Sequence, residues 1–248
     1  MKPALRIVLP VLAGALMSVP WVAKAQGMWG YPPYPSNRPE FYLGASIGSS
    51  FFPDQTNNTA SWFNSAYNAM APQPPGNYIA TGTSQDAGYF GAKGYVGSWI
   101  TPNVGVEVGY TYLGQIGWSS FSSNATGSFA VANSGIITPR AWYESVLLGV
   151  NSMGVRVYLK GGAYQASTNI ENNGLNLNTG VPGNASQSVT NNGALAGIGI
   201  STTYYHTMVR LEVEDYVNVG VSSMPTTSQI PPWRGSIVLL SAGVGYVF

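Results

Sequence analysis

The stretch RGSIVLLSAGVGYVF, Arg234 to Phe248, alternates between two unlike faces. Its even positions form an apolar face that ends in two aromatic rings: Ser236, Val238, Leu240, Ala242, Val244, Tyr246 and Phe248. The odd positions towards its end are small or slight: Ser241, Gly243, Gly245 and Val247. Side chains of a strand alternate between two faces, so this pattern predicts a strand with lipid outside and a crowded interior inside.

The composition of the whole chain agrees with a membrane wall. Only 8% of the 248 residues are charged, whereas a soluble domain carries about 25%. After the first two dozen residues, no apolar run approaches the roughly 20 residues that a membrane helix needs. These properties predict a transmembrane β-barrel. A disordered low-complexity chain is the alternative, and the periodic segments argue against it.

Cysteine content and charge exclude further classes. The chain has no Cys, which excludes a disulfide framework and a lipoprotein acylation site. Of the 10 Lys and Arg residues, Lys2, Arg6 and Lys24 lie in the first 25 positions, which leaves seven against 9 Asp and Glu. This balance gives no indication of nucleic-acid binding.

The N-terminus has the features of an export signal. Lys2 and Arg6 precede an apolar run over residues 7–22, and Ala23 and Ala25 form a small-x-small cleavage site. Two prolines within the apolar run argue against the alternative, an uncleaved membrane anchor. Residues 1–25 are therefore predicted to be a signal peptide.

Residues 26–40, QGMWGYPPYPSNRPE, are rich in Pro and Tyr. Such a segment favours an extended conformation over a helix or a sheet ladder. The sequence predicts a periplasmic leader here, with a peptide-recognition ligand as the alternative.

The rest of the chain, residues 41–248, divides into apolar alternating segments of roughly the nine to eleven residues that a tilted strand needs to cross a bilayer. The predicted strands are 41–51, 87–100, 104–114, 140–150, 155–166, 193–204, 208–218 and 234–248. Long polar connections at about 52–86, 115–139, 167–192 and 219–233 alternate strictly with short turns. Short turns on one side and long loops on the other are typical of outer-membrane barrels. The predicted fold is all-β: an eight-stranded antiparallel transmembrane β-barrel with an up-and-down meander.

Aromatic residues cluster at both ends of the predicted strands. Those at the short-turn ends are Phe41, Tyr42, Trp99, Tyr204, Tyr205, Tyr246 and Phe248. Those at the long-loop ends are Phe51, Tyr89, Phe90, Tyr110, Tyr112, Trp142, Tyr143, Tyr164, Tyr216 and Trp233. Two bands of amphipathic rings are expected at the two interfaces of a membrane.

Eight charged residues are predicted to face away from lipid, most of them in mid-strand. They are Lys93, Glu107, Glu144, Arg156, Lys160, Arg210, Glu212 and Glu214. A cation on the lipid face costs about 2–4 kcal/mol at the midplane, so the lumen is the expected place for this set. Asp215 falls on the outward face near a loop end, where an acidic side chain is tolerated.

This lumen charge network allows two interpretations. An eight-stranded barrel is just wide enough for its own side chains to fill it, so four cations and four carboxylates can pair into a structural plug. The same residues can instead line a narrow ion path or a gate.

The sequence offers little for catalysis. His206 is the only histidine, lies in a short predicted turn and has no nearby arranged Ser and carboxylate. No His/Cys cluster exists to hold a metal, and alternation separates Asp215 from Glu212 and Glu214. The His-based sites of outer-membrane deacylases and omptin-like proteases have no counterpart here. The sequence predicts neither an enzyme nor a cofactor.

Four segments together resemble the small outer-membrane β-barrel family of Gram-negative bacteria. They are GYFGAKGYVGSWITPNVGVEVGYTYLG from Gly88 to Gly114, GVRVYLKGGAYQAS, MVRLEVEDY and the closing AGVGYVF. That family includes opacity-protein-like barrels and the transmembrane domain of outer-membrane protein A. The resemblance implies a multi-pass barrel in the cell outer membrane, in contact with outer-membrane lipid and lipopolysaccharide.

Further expectations come from the same resemblance. A C-terminal strand that ends in Phe is the signal read by the barrel-assembly machinery in the family, and Tyr246 and Phe248 match it. The paired charges resemble the salt-bridge interior of outer-membrane protein A. Family members act as adhesins, envelope-stabilising proteins, immune-evasion factors or narrow pores.

Two functions are carried forward from the sequence. The first is an envelope-structural or adhesion role, in which the lumen is plugged and long loops contact a host or surface ligand. The second is a narrow porin-like channel for small solutes or ions.

Overall fold

The computed structural model describes residues 39–69, 78–86, 89–124, 130–176, 180, 182–222 and 230–248. The predicted signal peptide, its cleavage residues Ala23 and Ala25, and nearly all of the predicted leader lie outside these ranges and remain predictions. Parts of each long connection lie outside them as well.

The described residues form ten strands and one helix. In chain order these are β1 (Glu40–Phe51), α1 (Thr56–Ala69), β2 (Tyr78–Gln85), β3 (Tyr89–Trp99), β4 (Val104–Tyr112), β5 (Ile116–Asn124), β6 (Ala130–Ser152), β7 (Val155–Asn176), β8 (Pro182–Tyr204), β9 (Thr207–Gly220) and β10 (Arg234–Val247). All the strand pairings are antiparallel. Among the described residues, no helix has the length and apolar character needed to cross a membrane.

Eight of these strands close into a ring. Its order is β1, β3, β4, β6, β7, β8, β9 and β10, and β10 pairs back to β1 from Phe51↔Val238 to Tyr42↔Val247. Strands that are consecutive in the ring are also consecutive among the ring strands of the chain, which is an up-and-down meander. The predicted all-β eight-stranded antiparallel barrel is confirmed.

Three ring strands run well beyond the predicted crossings. The strands predicted to begin at 140, to end at 166 and to begin at 193 extend to Ala130, Asn176 and Pro182. The β6–β7 and β7–β8 ladders continue without a register shift over these extensions. Much of the predicted connections at 115–139 and 167–192 is therefore paired strand, because hydrogen bonding between neighbouring chains does not require an apolar sequence.

A small folded layer stands on the long-loop end of the ring. β5 pairs with residues 130–137 of β6, and β2 pairs with β5, so the sheet widens beyond the barrel wall. The helix α1 packs against β2 and β5. We call α1, β2, β5 and the extensions of β6, β7 and β8 the external layer. The sequence did not predict the helix, because its apolar positions are few among Asn and Ser residues.

The outward face of the ring is an apolar belt. Its exposed large side chains include Leu43, Ile47, Val96, Val106, Val108, Val146, Leu148, Leu159, Val209, Leu211 and Val244. Exposed rings border it at the turn end, at Phe41, Tyr204, Tyr205, Tyr246 and Phe248, and at the loop end, at Phe90 and Trp142. An apolar band between two aromatic girdles is the outer surface of a transmembrane barrel.

Several rings that lie at strand ends do not belong to these girdles. Tyr42 and Trp99 at the turn end, and Tyr143, Tyr164 and Tyr216 at the loop end, are buried inside the barrel. The position of a residue along a strand gives its height in the membrane, but only the alternation phase gives its face.

The start of α1 carries a pH-dependent contact. The backbone N–H of Thr56 donates to Oδ1 of Asp54 at 2.9 Å, and hydrogen bonds from Thr56 lower the pKa of Asp54 below its usual 3.8. The ionised carboxylate is thus favoured in the folded state, so its contribution is complete above pH 3.8 and lost as the pH falls through the lowered value.

We expect α1 to detach more readily as the pH falls below 3.8 and through the lowered pKa of Asp54, because the carboxylate then takes up a proton. Hydrogen exchange of the α1 amides across pH 3–6 measures this, after correction for the intrinsic exchange rate. Asp54→Asn removes the titrating group, and an unchanged pH dependence in this variant would contradict the assignment.

Candidate functional site

Six buried charged side chains meet in the middle of the lumen. They are Lys93 from β3, Glu107 from β4, Lys160 from β7, and Arg210, Glu212 and Glu214 from β9. Alternation brings them to one space, because each lies at an inward position of its strand. All six belong to the set predicted from the sequence to face the lumen.

The six groups form a closed ring in which cations and carboxylates alternate. Lys93 Nζ contacts Glu214 at 2.8 Å, and Lys160 Nζ contacts the other oxygen of Glu214 at 2.5 Å. Lys160 also reaches Glu107 at 2.7 Å, and Arg210 Nη1 contacts Glu107 at 2.5 Å. Glu212 closes the ring by pairing with both Arg210 and Lys93. Three cations and three carboxylates leave this ring, which we call the charge ring, without net charge.

Tyrosines bind the charge ring on its edges. Tyr42 and Tyr143 donate their hydroxyls to the two oxygens of Glu107, at 3.0 and 2.8 Å, and Tyr158 donates to Glu212 at 3.0 Å. Lys160 Nζ lies 4.1 Å from the centroid of the Tyr143 ring. A buried carboxylate needs its remaining lone pairs satisfied, and these phenols supply donors that water would otherwise provide.

Glycines make room for these rings. Tyr42, Tyr95, Tyr143, Tyr158 and Tyr164 each lie directly opposite a glycine in strand register: Gly97, Gly44, Gly109, Gly199 and Gly193. A Cβ added at Gly109 would lie 2.6 Å from the hydroxyl oxygen of Tyr143, and one at Gly97 would lie 2.5 Å from Cζ of Tyr42. The glycine content of the strands is thus a steric requirement of the packed lumen.

A second ion pair lies nearer the turn end. Arg156 Nη1 contacts Glu40 at 3.1 Å, and the Arg156 guanidinium stacks 4.1 Å from the Trp99 ring centroid. The sequence predicts that the leader ends at Glu40, because prolines directly before this residue interrupt the strand pattern. In the structure Glu40 is the first residue of β1. The one indication in the sequence is that Glu40 has the same alternation phase as the inward residues Tyr42 and Gly44.

Glu144 is a correction to the predicted network. It lies exposed on the outward face of β6, between Trp142 and Val146, whereas Tyr143, Ser145 and Leu147 point inward. The sequence of β6 is apolar on both faces at this level, which left the phase ambiguous. Asp215 lies half-buried on the side opposite Glu212 and Glu214 along β9, the alternation expected for it.

His206 has a structural environment at the turn end. Its Nδ1 lies 2.7 Å from the carbonyl oxygen of Val247, which can only accept, so Nδ1 is the donor. The imidazole stacks on Tyr246, with 5.2 Å between ring centroids. Within the part of the chain that the structure describes, no three His, Asp or Glu side chains cluster as metal ligands would.

Aromatic rings pack inside the external layer and belong to one buried cluster that continues into the lumen. Phe63 of α1 is buried, and its ring centroid lies 5.0 Å from that of Trp62 and 5.5 Å from that of Trp118 on β5. The ring centroids of Phe52 and Trp233 lie 6.1 Å apart. Asn133 of β6 donates its side-chain amide to the Tyr67 hydroxyl at 2.9 Å. The long-loop end is thus a packed structure whose apolar interior continues that of the barrel.

Residues 36–248 match the family model described as OmpA-like transmembrane domain. The chain belongs to this family. The match covers the complete ring and the external layer, so the outer-membrane location predicted from the sequence is confirmed. No curated relative matches the sequence of this OmpA-like barrel at a significant level.

Solved structures similar to this OmpA-like barrel are other small outer-membrane barrels. Ail of Yersinia pestis, in complex with the heparin analogue sucrose octasulfate, is 11% identical, with 85% of this chain and 99% of that chain covered and a TM-score of 0.42. OprG of Pseudomonas aeruginosa is 10% identical, with 86% and 97% covered and a TM-score of 0.44. Neisserial surface protein A is 12% identical, with 84% and 97% covered and a TM-score of 0.35.

Proposed function

We propose that this OmpA-like barrel is a non-conducting, non-enzymatic anchor that holds its external layer at the cell surface, where that layer contacts other surfaces or ligands. One observation carries the proposal: the charge ring is closed, alternating and buried. A charge ring that fills the lumen stabilises the barrel. The function is therefore assigned to the external layer.

The energetics of the charge ring favour a plug. A permeating ion must enter between partners such as Lys160 and Glu107, which lie 2.7 Å apart. Separating a buried pair without water to replace the contact costs several kcal/mol. The surrounding phenols of Tyr42, Tyr143 and Tyr158 leave the carboxylates already supplied with donors, which lowers the advantage of hydration.

Two features of the external layer support a contact role. It is packed around Phe63 and Trp118 and therefore presents a defined surface. Near its tip, Phe121 and Leu175 are 38% and 42% exposed, and both lie in register with Ala132 in one row across β5, β6 and β7. Contiguous exposed apolar surface of this kind marks interaction sites in other proteins.

The second candidate is a narrow porin-like channel in which the charge ring lines a path for small ions. This candidate rests on the residues of the charge ring, as the plug does. The two differ in the expected effect of removing those residues. A lining group sets selectivity, whereas a plug group sets stability.

Single-channel recording in planar bilayers tests the proposal, with the wild type beside a Glu107→Gln/Arg210→Gln variant. We expect a silent wild type, and a variant that melts at a lower temperature because one cation and one carboxylate of the charge ring are gone. Steady wild-type openings, with an ion selectivity that changes in the variant, would overturn the plug and establish the channel.

A further inference from the structure

The upper part of β8 has a neighbouring strand on one side only. β8 pairs with β7 from Pro182 to Thr202, whereas its ladder with β9 extends upwards only to Ala194↔Val217. Within the described ranges, no strand pairs with the other side of residues 182–193. This stretch is therefore an open edge of the sheet, where every second residue presents its backbone N–H and C=O without a strand partner.

The open edge begins where a turn takes β9 away from β8. Asn218 and Gly220 have φ angles of 66° and 89°, a left-handed conformation that does not continue a strand. A Cβ at Gly220 would lie 2.2 Å from the carbonyl oxygen of Trp233, so a side chain does not fit there. The Asn191 side chain donates to the Asn218 carbonyl at 2.9 Å and accepts from the Gly220 N–H at 3.0 Å. This turn and this side-chain cap end the β8–β9 ladder, and we call residues 182–190 above them the β8 edge.

Burial decreases sharply from β7 to the β8 edge. The inward side chains of Thr168 and Ile170 on β7 are fully buried. Their register partners on β8 are Val189, which is half-buried, and Gln187, which is exposed. A further strand beside the β8 edge would cover these two side chains as β8 covers Thr168 and Ile170.

The chemistry of the β8 edge suits an uncharged strand. Its sequence, PGNASQSVT, carries no charge, and its one proline stands at the end. Ala185 and Val189 point inward and pack against the buried hydrophobic cluster. The outward side chains are polar and exposed: Asn184, Ser186, Ser188 and Thr190. The ladder with β7 has no register shift here, so the edge lacks the charges and bulges that usually prevent further pairing.

The other edge of the external layer, on β2, is protected. Its register with β5 shifts between Ala80 and Gly82, and α1 packs against the strand. At the lower end, the Gln85 side chain accepts from the Gln55 N–H at 3.0 Å and donates to the Pro53 carbonyl at 2.9 Å. Bulges and covering segments are the usual protection of an edge strand, so β8 presents the edge that is available for pairing.

We propose that the β8 edge binds an extended, uncharged segment of a partner protein, which adds as an antiparallel strand directly above the end of β9. Backbone hydrogen bonds hold the segment, and alternation sets its chemistry, with apolar side chains inward beside Ala185 and Val189 and polar side chains outward. This inference rests on the proposed function and names the kind of partner that the external layer contacts.

A second copy of the chain is the other possible source of a strand. Two copies in one membrane stand parallel to each other, so their β8 edges can meet only as parallel strands. Parallel pairing is less stable per residue than antiparallel pairing, which favours a segment of a different protein.

Amide hydrogen exchange of the β8 edge, measured by NMR in phospholipid nanodiscs, tests the proposal. The probe is a short synthetic peptide of alternating threonine and valine, and the control peptide has lysine in place of valine. The proteins are the wild type, Gln187→Lys and Gln165→Lys. Gln187→Lys puts a charge on the inward side of the edge, whereas Gln165→Lys makes the same change on β7, which is paired on both sides.

In the free wild type we expect alternate amides of the β8 edge to exchange fast, because only those that face β7 are bonded. The threonine–valine peptide should slow the fast amides by about tenfold or more, and the lysine peptide should not. Gln187→Lys should weaken peptide binding about tenfold, since its charge would be covered by the added strand. Gln165→Lys should bind as the wild type does.

Three results would overturn the proposal. The first is that the peptide leaves the fast amides unchanged. The second is that all amides of the β8 edge are already protected in dilute free protein, which would mean that the edge is covered. The third is protection that rises with protein concentration without peptide, which would assign the edge to a second copy.

Surface binding by bacteria that display the variants separates this inference from the proposed function. We expect Gln187→Lys, but not Gln165→Lys, to bind surfaces less well than the wild type. If Phe63→Ala loses binding and Gln187→Lys does not, strand addition is wrong and the contact role of the external layer stands. If neither variant loses binding, the contact role is wrong as well.

Discussion

Glu107→Gln is expected to lower the free energy of unfolding of the barrel by about 3–5 kcal/mol. Glu107 accepts from Lys160, Arg210, Tyr42 and Tyr143, at 2.7, 2.5, 3.0 and 2.8 Å. Glutamine keeps the volume but removes the charge, so the charge ring is left with an uncompensated buried cation. Urea titration in phospholipid vesicles, followed by tryptophan fluorescence, measures the change.

Glu144→Gln is the matched control, because it makes the same substitution on the outward face of β6. Glu144 has no ion-pair partner among the described residues, and a carboxylate near the outer interface costs little to place there. We expect this variant to unfold within about 1 kcal/mol of the wild type. An equal loss in both variants would mean that charge alone, and not membership of the ring, controls stability.

The Glu107→Gln/Arg210→Gln variant provides a second comparison. Its two substitutions remove one cation and one carboxylate, so Lys93, Lys160, Glu212 and Glu214 remain balanced. The loss of stability should be smaller than the sum of the two single losses, as expected for residues of one network. Additive losses would contradict a closed ring.

Phe63→Ala is expected to lower the free energy of unfolding of the external layer by about 3–5 kcal/mol, the usual effect of truncating a buried Phe. Its ring packs against Trp62, Tyr67 and Trp118, with centroids 5.0 to 5.9 Å apart. We expect chymotrypsin to cut within residues 52–86 of the variant in intact vesicles. The unfolding midpoint of the eight-stranded barrel should stay unchanged, since Phe63 contacts no residue of the charge ring.

Ser65→Ala is the control on the same helix, because Ser65 is exposed and bonds only to the Ser61 carbonyl among the contacts described. It should resist the protease as the wild type does. Under the proposed function, bacteria that display Phe63→Ala should also bind surfaces less well than those that display Ser65→Ala. Unchanged binding by a proteolysed external layer would separate the contact role from this layer.

The sequence predicts the ring strands because lipid on one side imposes a strict alternation of side chains on them. A residue on the outside of β1 or β10 meets acyl chains, and its neighbour meets a narrow lumen, so the two faces of Phe41–Ile47 and of the closing strand differ residue by residue. The same contrast places Lys93, Glu107, Lys160 and Arg210 inside, since a charged side chain facing the middle of the bilayer would be costly.

Alternation predicts the wrong face or no strand where the two sides of a strand have similar surroundings. In β6, small and apolar residues occupy both faces around Glu144, so the charge was assigned to the wrong face. Beyond the bilayer, water lies on one side of the strands and protein on the other. Serine, asparagine and glycine then suit either a loop or a strand, so the sequence predicts connections where β6, β7 and β8 continue as paired strands.

Local alternation is enough to predict the number of barrel strands, their meander and the inward position of seven of the eight charged residues assigned to the lumen, because those features follow from contact with two very different solvents. Tertiary contacts add three features: six charges close into one alternating ring, Glu40 pairs with Arg156, and α1 packs on β2 and β5. These contacts join strands far apart in the chain, and their partners are set by barrel closure and register, which no local pattern encodes.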